Sequence, residues 1–411
     1  MKVLLIHYRY RLAGGPELYL KKIAEYLKNK NFEVDIYSIN WDDNEVSNRA
    51  DWYTPSNSYS SFSAQKSNSG LLNKIKRVPL MIYNKSVKTA LENKILNFKP
   101  DLAYTLLFLG KLTPSIFDSL NKYKIPFFVR ISDFSSVCQN SVLLRDSKVC
   151  TKCLTDGPIN GVYNRCGGSL LESSIHYIIR IFLNQSNYKL AAGFISPSKN
   201  TIKILKESNL YRNAKFHYIP TFSPIEPNKI KTSFKNNNNK ILAYWGRVSD
   251  EKSVLEIVSL FKKLSLKHKS WKFKIIGFDG SLYSNTVKEE ASKIDRCELF
   301  NFMNLDDLLS TISDVNYFIT SSKIVDNFPQ SAVVALSQGI KVILPNMGSY
   351  TEVINSKEYG LIYDNFIQIE NYLVNDVEYF ERENIIKYYI DNFGLEKHLL
   401  KLKTIFQNEI T

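Results

Sequence analysis

The sequence has no apolar run long enough to cross a membrane. Its longest apolar window, near Leu102–Gly110, falls well short of the ~20 residues that a spanning helix needs. The opening MKVLLIHY has one lysine and a short apolar stretch, without the longer apolar region and small-residue cleavage site of a secretory signal. The expectation is a cytoplasmic protein in a reducing compartment, where its 5 cysteines are thiols or metal ligands rather than disulfides. The 5 histidines (His7, His176, His217, His268 and His398) are scattered and show no metal-ligand spacing. Of these, only His7, at the end of an apolar run, falls near a turn that a ligand would approach. No G-x-G-x-x-G turn is present, which argues against a dinucleotide cofactor. No basic-aromatic recognition pattern or nucleic-acid module appears either, so nucleic acid is not an expected partner.

What is present is a packed α/β chain. Its 411 residues exceed one ordinary core and suit two domains of roughly 150–200 residues. A hydrophobic content of 44% and a charged content of 23% are those of a folded protein. The net charge of +14 is distributed unevenly. Residues 1–200 hold 27 basic against 15 acidic side chains, whereas the remainder holds 27 against 25. Such asymmetry points to an anionic partner for the first half: a membrane surface, a phosphate-bearing acceptor or nucleic acid, the last disfavoured by the missing recognition module.

Lys2–Tyr8 is an apolar run of strand length, followed by the turn Gly14-Gly15-Pro16-Glu17. Leu18, Ile23, Tyr26 and Leu27 then fall on one helical face, and Val34–Ser38 returns as a strand. This is a β-α-β unit, which builds a parallel sheet. Leu102–Leu107, Pro126–Ile131 and Gly193–Ser196 continue the rhythm. Thr221–Lys240 is polar, holds two prolines and ends in an asparagine run, so it reads as a linker. After it the alternation restarts with Ile241–Trp245, Val254–Leu264, Lys272–Ile276, Tyr317–Thr320, Ser331–Ser337 and Lys341–Leu344. The expected domains are 1–222, with an insertion at about 134–168, a linker at 223–240, and 241–385. A C-terminal helix at 386–411 is expected to pack back toward the first domain. The fold class is α/β, with two doubly wound Rossmann-like domains facing across a cleft and ligands at the carboxyl ends of their strands.

Three segments carry chemistry. Two glycines after the first strand let a backbone approach a ligand, although an ordinary tight turn needs them equally. GRVSDEK, at Gly246–Lys252, sets Arg247 and Lys252 on a strand-to-helix loop, where they would neutralise a leaving diphosphate or simply form a solvated basic loop. Ser321–Ile354 brings Asp326-Asn327-Phe328-Pro329 to the start of a helix, an arrangement that holds sugar hydroxyls and phosphate or merely caps the helix.

GGPE near the start, SPSK at Ser196–Lys199, GRVSDEK, IIGFDG at Ile275–Gly280, DLLSTISDVNYFITSS at Asp307–Ser322, DNFP and GSYTEVI follow one another in order. In that order the chain resembles the GT-B retaining glycosyltransferases of family 4, the glycosyl transferases group 1 family, over nearly its whole length. The resemblance implies that Arg247 and Lys252 contact a donor diphosphate and that Asp326 lies near the donor sugar. It implies that Asn327, Phe328, Gln330 and Ser331 hold phosphate at the helix start, and that Gly14, Gly15 and Gly277 contribute to the donor site. It further implies metal-independent transfer with retention, in which the leaving phosphate helps deprotonate the acceptor. Two positions depart from the family pattern. Val334 stands where a glutamate would hold the ribose, and Ser132 stands where a histidine often precedes Asp133, an expected catalytic residue.

Cys138, Cys150, Cys153 and Cys166 are spaced C-x11-C-x2-C-x12-C, which reads either as a structural zinc site or as four free thiols. Ser69–Leu96 holds six Lys or Arg against one Glu among apolar residues, either a membrane-surface stretch or a solvated basic face. The functional expectation is a hexosyltransferase-like enzyme of bacterial surface polysaccharide assembly, of the capsule or O-antigen type. It would move a sugar from a nucleotide-sugar donor to a glycan or lipid-linked acceptor, without a catalytic cofactor, peripherally on the inner face of the membrane. The alternative is a catalytically lapsed relative that serves as a binding or scaffolding subunit.

Overall fold

A computed structural model describes residues 1–11, 15–41, 51–55, 78–223, 225, 229–230, 240–375 and 381–410. Gly14, residues 69–77 of the basic stretch and most of the expected linker lie outside the described residues. The chain divides into two compact units. The first comprises Met1–Leu143, Cys150–Ile219 and Leu399–Thr411, and the second comprises Leu144–Val149 and Pro220–His398.

The first unit is built on a six-stranded sheet in the order β2-β1-β3-β4-β7-β8. Its strands are β1 (Lys2–Ile6), β2 (Glu33–Tyr37), β3 (Leu102–Thr105), β4 (Phe127–Arg130), β7 (Gly193–Ser196) and β8 (Phe216–Tyr218), all parallel. In chain order between β4 and β7 runs a two-stranded hairpin, β5 (Leu144–Arg145) with β6 (Lys148–Val149), whose residues group with the second unit. Val3, Leu4, Leu5, Leu102, Ala103 and Phe128 are fully buried. Covered on both faces, the strands read as continuous apolar runs rather than as alternations. Helix Gly15–Asn29 packs Leu20, Ile23 and Leu27 inward, and helix Lys85–Phe98 is capped by the Asn84 side chain, which accepts from the Ser86 and Val87 amides.

The second unit repeats the plan with β9 (Lys240–Trp245), β10 (Trp271–Phe278), β11 (Cys297–Asn301), β12 (Tyr317–Ile319), β13 (Lys341–Pro345) and β14 (Gly360–Tyr363). Their order is β11-β10-β9-β12-β13-β14, again all parallel. Two doubly wound α/β units result, as the alternation of apolar runs and helical faces implies. In each sheet the chain reverses its direction of strand addition once: between β1 and β3 in the first, between β9 and β12 in the second. Loops leaving the two strands at such a reversal diverge and open a crevice at their carboxyl ends. That is where the sites below are built.

Two residues sit deeper than the sequence implies. Val334, on helix Gln330–Ser337, is 5% exposed within the core of the second unit, so it offers no open face to a ligand. Gln338, just past that helix, donates its side-chain amide to the Ser337 carbonyl at 3.2 Å. His7, expected beside a ligand, is wholly buried at the end of β1, its Nδ1 lying 2.8 Å from the Arg9 carbonyl oxygen and 3.1 Å from the Arg9 amide.

Burial of His7 lowers its pKa to about 4, so the folded chain holds it neutral while the unfolded chain begins to protonate it near its ordinary value of 6.5. Folding therefore loses about 2 kcal/mol from this group as pH falls from 7 to 4.5. Urea titrations at both pH values should show that loss in the wild type and not in His7→Phe. Val334→Glu buries an unpaired carboxylate and should lower stability by about 3 kcal/mol or more, read as a drop in melting temperature. A variant that unfolded like the wild type would place position 334 outside the core.

Candidate functional site

In the second unit the loops after β9, β12 and β13 meet on one carboxylate. Asp326, in the loop after β12, pairs with the Lys252 ammonium from the loop after β9. The Tyr350 hydroxyl, from the turn after β13, donates to the same Asp326 oxygen at 2.6 Å. Lys252 also lies 3.3 Å from that hydroxyl, and Ser349 Oγ donates to the Asp326 carbonyl at 2.7 Å. Tyr350 is fully buried, and burial followed by the neighbouring carboxylate pushes its pKa well up, so it remains a hydrogen-bond donor. The sequence pointed to Lys252 and Asp326 separately; Tyr350, inside GSYTEVI, carried no signal of its role.

The β9 loop is held by a backbone contact. Gly277 sits at a bulge in β10 with φ of 125°, and a Cβ there would lie 2.0 Å from the Gly246 carbonyl oxygen. Only glycine permits that approach. Gly277 thus positions Gly246 and Arg247 through the backbone. Tyr244 adds a bond from its hydroxyl to the Arg247 carbonyl at 2.7 Å. Arg247 itself is open to solvent, its side chain 67% exposed and 3.6 Å from Glu251. Beside it lies a cavity of about 330 Å³ lined by Trp245, Gly246, Arg247, Ile276, Gly277, Asp279 and Met303, with Phe302 and Leu308. Trp245 Nε1 is buried and has no hydrogen-bond partner among the described residues. Asn327, Phe328, Gln330 and Ser331 follow Asp326 in the turn that opens helix Gln330–Ser337.

The first unit holds a second constellation at its own reversal point. Gly15 opens helix Gly15–Asn29, whose first turn already carries a carboxylate, the buried Glu17, paired with Arg9. That end of the helix thus has its own anion and is a poorer phosphate cradle than the glycine turn implies. A cavity of about 280 Å³ opens instead beside the ends of β1, β3 and β4, lined by Tyr8, Lys111, Asp133, Ser135, Gln139, His176 and Arg180 among apolar residues. Arg180 donates through Nη1 to the His176 carbonyl at 2.8 Å and through Nη2 to the Ser135 and Cys138 carbonyls at 2.6 and 2.7 Å. Burial lowers its pKa to about 10, which leaves it charged at neutral pH. Burial, followed by Arg180, lowers the pKa of His176, which favours the neutral ring. Arg180 Nε, His176 Nδ1 and Gln139 Oε1 are buried without a partner among the described residues. Three unsatisfied polar atoms around one cavity mark a place for a polar ligand. Asp133 was legible in the sequence; His176, Arg180 and Gln139 lie in or beside the insertion and were not.

The four cysteines of the insertion are near neighbours. Burial, followed by Cys138, Cys166 and Cys150, pushes the Cys153 thiol up to about 11. As arranged, no group of three or more Cys, His, Asp or Glu among the described residues is placed to hold a metal ion.

Residues 226–389 match the model of the glycosyl transferases group 1 family. A protein encoded in the cps region of Klebsiella pneumoniae, described only as an uncharacterized 42.6 kDa protein, is 24% identical over 371 residues, covering 86% of this chain and 87% of its own. Among solved structures, sucrose-phosphate synthase from Thermosynechococcus elongatus superposes with a TM-score of 0.66 at 13% identity, over 99% of this chain and 98% of that one. The lipopolysaccharide outer core galactosyltransferase WaaB gives 0.63 at 13% over 100% of both chains. Anabaena HepE in complex with UDP-glucose gives 0.63 at 13% over 99% and 100%. Residues 226–389 of the second unit thus match the glycosyl transferases group 1 family, and the chain as a whole has the GT-B fold.

Proposed function

We propose that the chain transfers a hexose from a nucleotide-sugar to a glycan or lipid-linked acceptor in capsule- or O-antigen-type polysaccharide assembly, with retention at the anomeric carbon. The observation that carries the reading is the convergence of Arg247, Lys252 and Asp326 on adjacent strand ends at the β9/β12 reversal. The relative from a cps region supports the polysaccharide setting. HepE, solved with UDP-glucose, supports a nucleotide-sugar donor.

The donor diphosphate lies across the β9 loop. Arg247 offers a planar fork of N–H groups to it. Lys252 has three donors, of which Asp326 and Tyr350 engage two, and the third is directed to phosphate. The nucleoside lies in the adjoining cavity against Trp245, Ile276 and Met303, where the unpartnered Trp245 Nε1–H meets a base carbonyl. Asp326, fixed by Lys252 and Tyr350, accepts from donor-sugar hydroxyls. The bond from the anomeric carbon to the diphosphate breaks as the bond to an acceptor oxygen forms on the same face. The acceptor proton passes to the leaving phosphate oxygen, and the two cations stabilise the charge that develops there.

The acceptor occupies the cavity of the first unit. Asp133 accepts from an acceptor hydroxyl while its other hydrogen bond, from the Ser135 amide at 2.8 Å, fixes its carboxylate. Arg180, Lys111 and His176 supply donors to a phosphate or to further hydroxyls.

Because Arg247 is exposed, Arg247→Ala should leave the melting temperature unchanged and reduce kcat/KM by roughly 10²-fold or more. Weakened binding of nucleoside diphosphate, measured by calorimetry, should accompany that loss. Unaltered turnover would remove the diphosphate assignment. Asp133→Asn should abolish transfer while nucleotide affinity stays as in the wild type; a parallel loss of nucleotide binding would place Asp133 on the donor instead.

A further inference from the structure

Asp133 sits on a tight turn that the first unit holds from two sides. Its carboxylate accepts from the Ser135 amide at 2.8 Å, and the Val137 and Cys138 amides donate to the Phe134 carbonyl at 3.0 and 2.8 Å. Those bonds are local to the turn. Arg180 supplies one outside anchor by donating to the Ser135 and Cys138 carbonyls. The other comes from the turn that follows helix Lys199–Lys206, where the Tyr211 hydroxyl donates to Ser136 Oγ at 2.8 Å. A phenol has one hydrogen to give, so the Tyr188 hydroxyl, 2.5 Å away, donates to Tyr211 in turn. Burial pushes the Tyr211 phenol up to about 12 and that of Tyr188 well up, so both keep their protons at neutral pH.

Tyr211 is fully buried, and its ring packs edge-on against Phe194 of β7 and against Tyr188, with centroids 5.1 and 6.1 Å away. Phe216 of β8 closes a further side at 5.7 Å. A ring enclosed by other rings has little room to turn, so its hydroxyl is fixed relative to the sheet. Phenylalanines at 188 and 211 would fill the same space with no buried hydroxyl to satisfy. What the two hydroxyls add is a chain of hydrogen bonds that ends on the Asp133 turn. We propose that Tyr211 is a positioning residue for Asp133, clamping the 133–138 turn together with Arg180 so that the carboxylate meets the acceptor hydroxyl in one orientation. The inference rests on the role that the proposed function gives Asp133. Tyr211 acts through Ser136 and the backbone, not on the substrate. Its effect can still be large, because misplacing a reacting group by about 1 Å can slow a reaction by roughly 10²-fold.

Hydrogen exchange and turnover of the full chain carrying Tyr211→Phe, Ser136→Ala or both test the clamp. Each single change removes one partner of the same bond. Amides of residues 133–138 should exchange faster in either variant, while those of the Gly246–Lys252 loop exchange as in the wild type. Turnover is expressed per nucleotide-binding site titrated by calorimetry, so that misfolded chains do not count. It should fall about 10-fold, with the KM for nucleotide-sugar unchanged. The double variant should lose no more than Tyr211→Phe alone, since no bond is left for the second change to remove. Looser packing of the ring would instead give losses that multiply. Multiplied losses, unchanged exchange at 133–138, or faster exchange with undiminished kcat would each overturn the proposal. A wild type that transfers no sugar would sink the proposed function, and this role of Tyr211 with it. Exchange is measured without substrate, so it reports on the clamp separately from that failure.

Discussion

One carboxylate organises the second unit. Asp326 draws a cation from the loop after β9 and a phenol from the turn after β13 to the loop after β12. Without it, Lys252 would be a partly buried ammonium facing a buried phenol, with nothing to offset its lost hydration. With it, three loops from three strands share one geometry, and the Lys252 ammonium is held in place before any ligand arrives. Preorganisation of this kind matters more to an electrostatic site than the number of charges, since no free energy is then spent on turning dipoles during the reaction.

The same logic is applied to the backbone one strand away. The Gly246 carbonyl can lie against Gly277 only because position 277 has no Cβ, and the contact fixes how the β9 loop leaves the sheet. Arg247 is therefore displayed on a turn set by that contact, while its side chain stays exposed. Lys252, Asp326 and Tyr350 form one hydrogen-bonded cluster beside that turn. Val334, the departure from the family pattern, is absorbed by the core and leaves this arrangement untouched.

The first unit uses a helix where the second uses loops. Leu170–Gln185 leads out of an insertion and lays Arg180 across the carbonyls of Ser135 and Cys138, which ties the insertion to the end of β4. Ile179 and Leu183 pack inward beside Arg180, while Leu171, Ile178 and Phe182 are exposed. A single element thus lines a polar cavity with His176 and Arg180 and also carries exposed apolar side chains.

By itself the sequence determined the architecture. Continuous apolar runs alternating with helical faces allow little other than parallel sheets, and the glycines, the Gly246–Lys252 segment and Asp326 mark strand ends by local chemistry alone. Lys252 and Asp326 were visible as candidates because charge on a strand-to-helix loop is a local feature. That they share one hydrogen-bonded cluster with Tyr350 was decided by tertiary structure, because the partners are 74 and 24 residues from Asp326 and only the sheet order makes them neighbours. The burial of Val334 and His7 was decided there too, since a helical or strand pattern gives the face of an element but not what covers it. His176 and Arg180 belong to no motif, and their meeting with Asp133 depends on how an insertion folds back against the strand that precedes it. Local chemistry can be read along a chain; convergence is a property of the packed molecule.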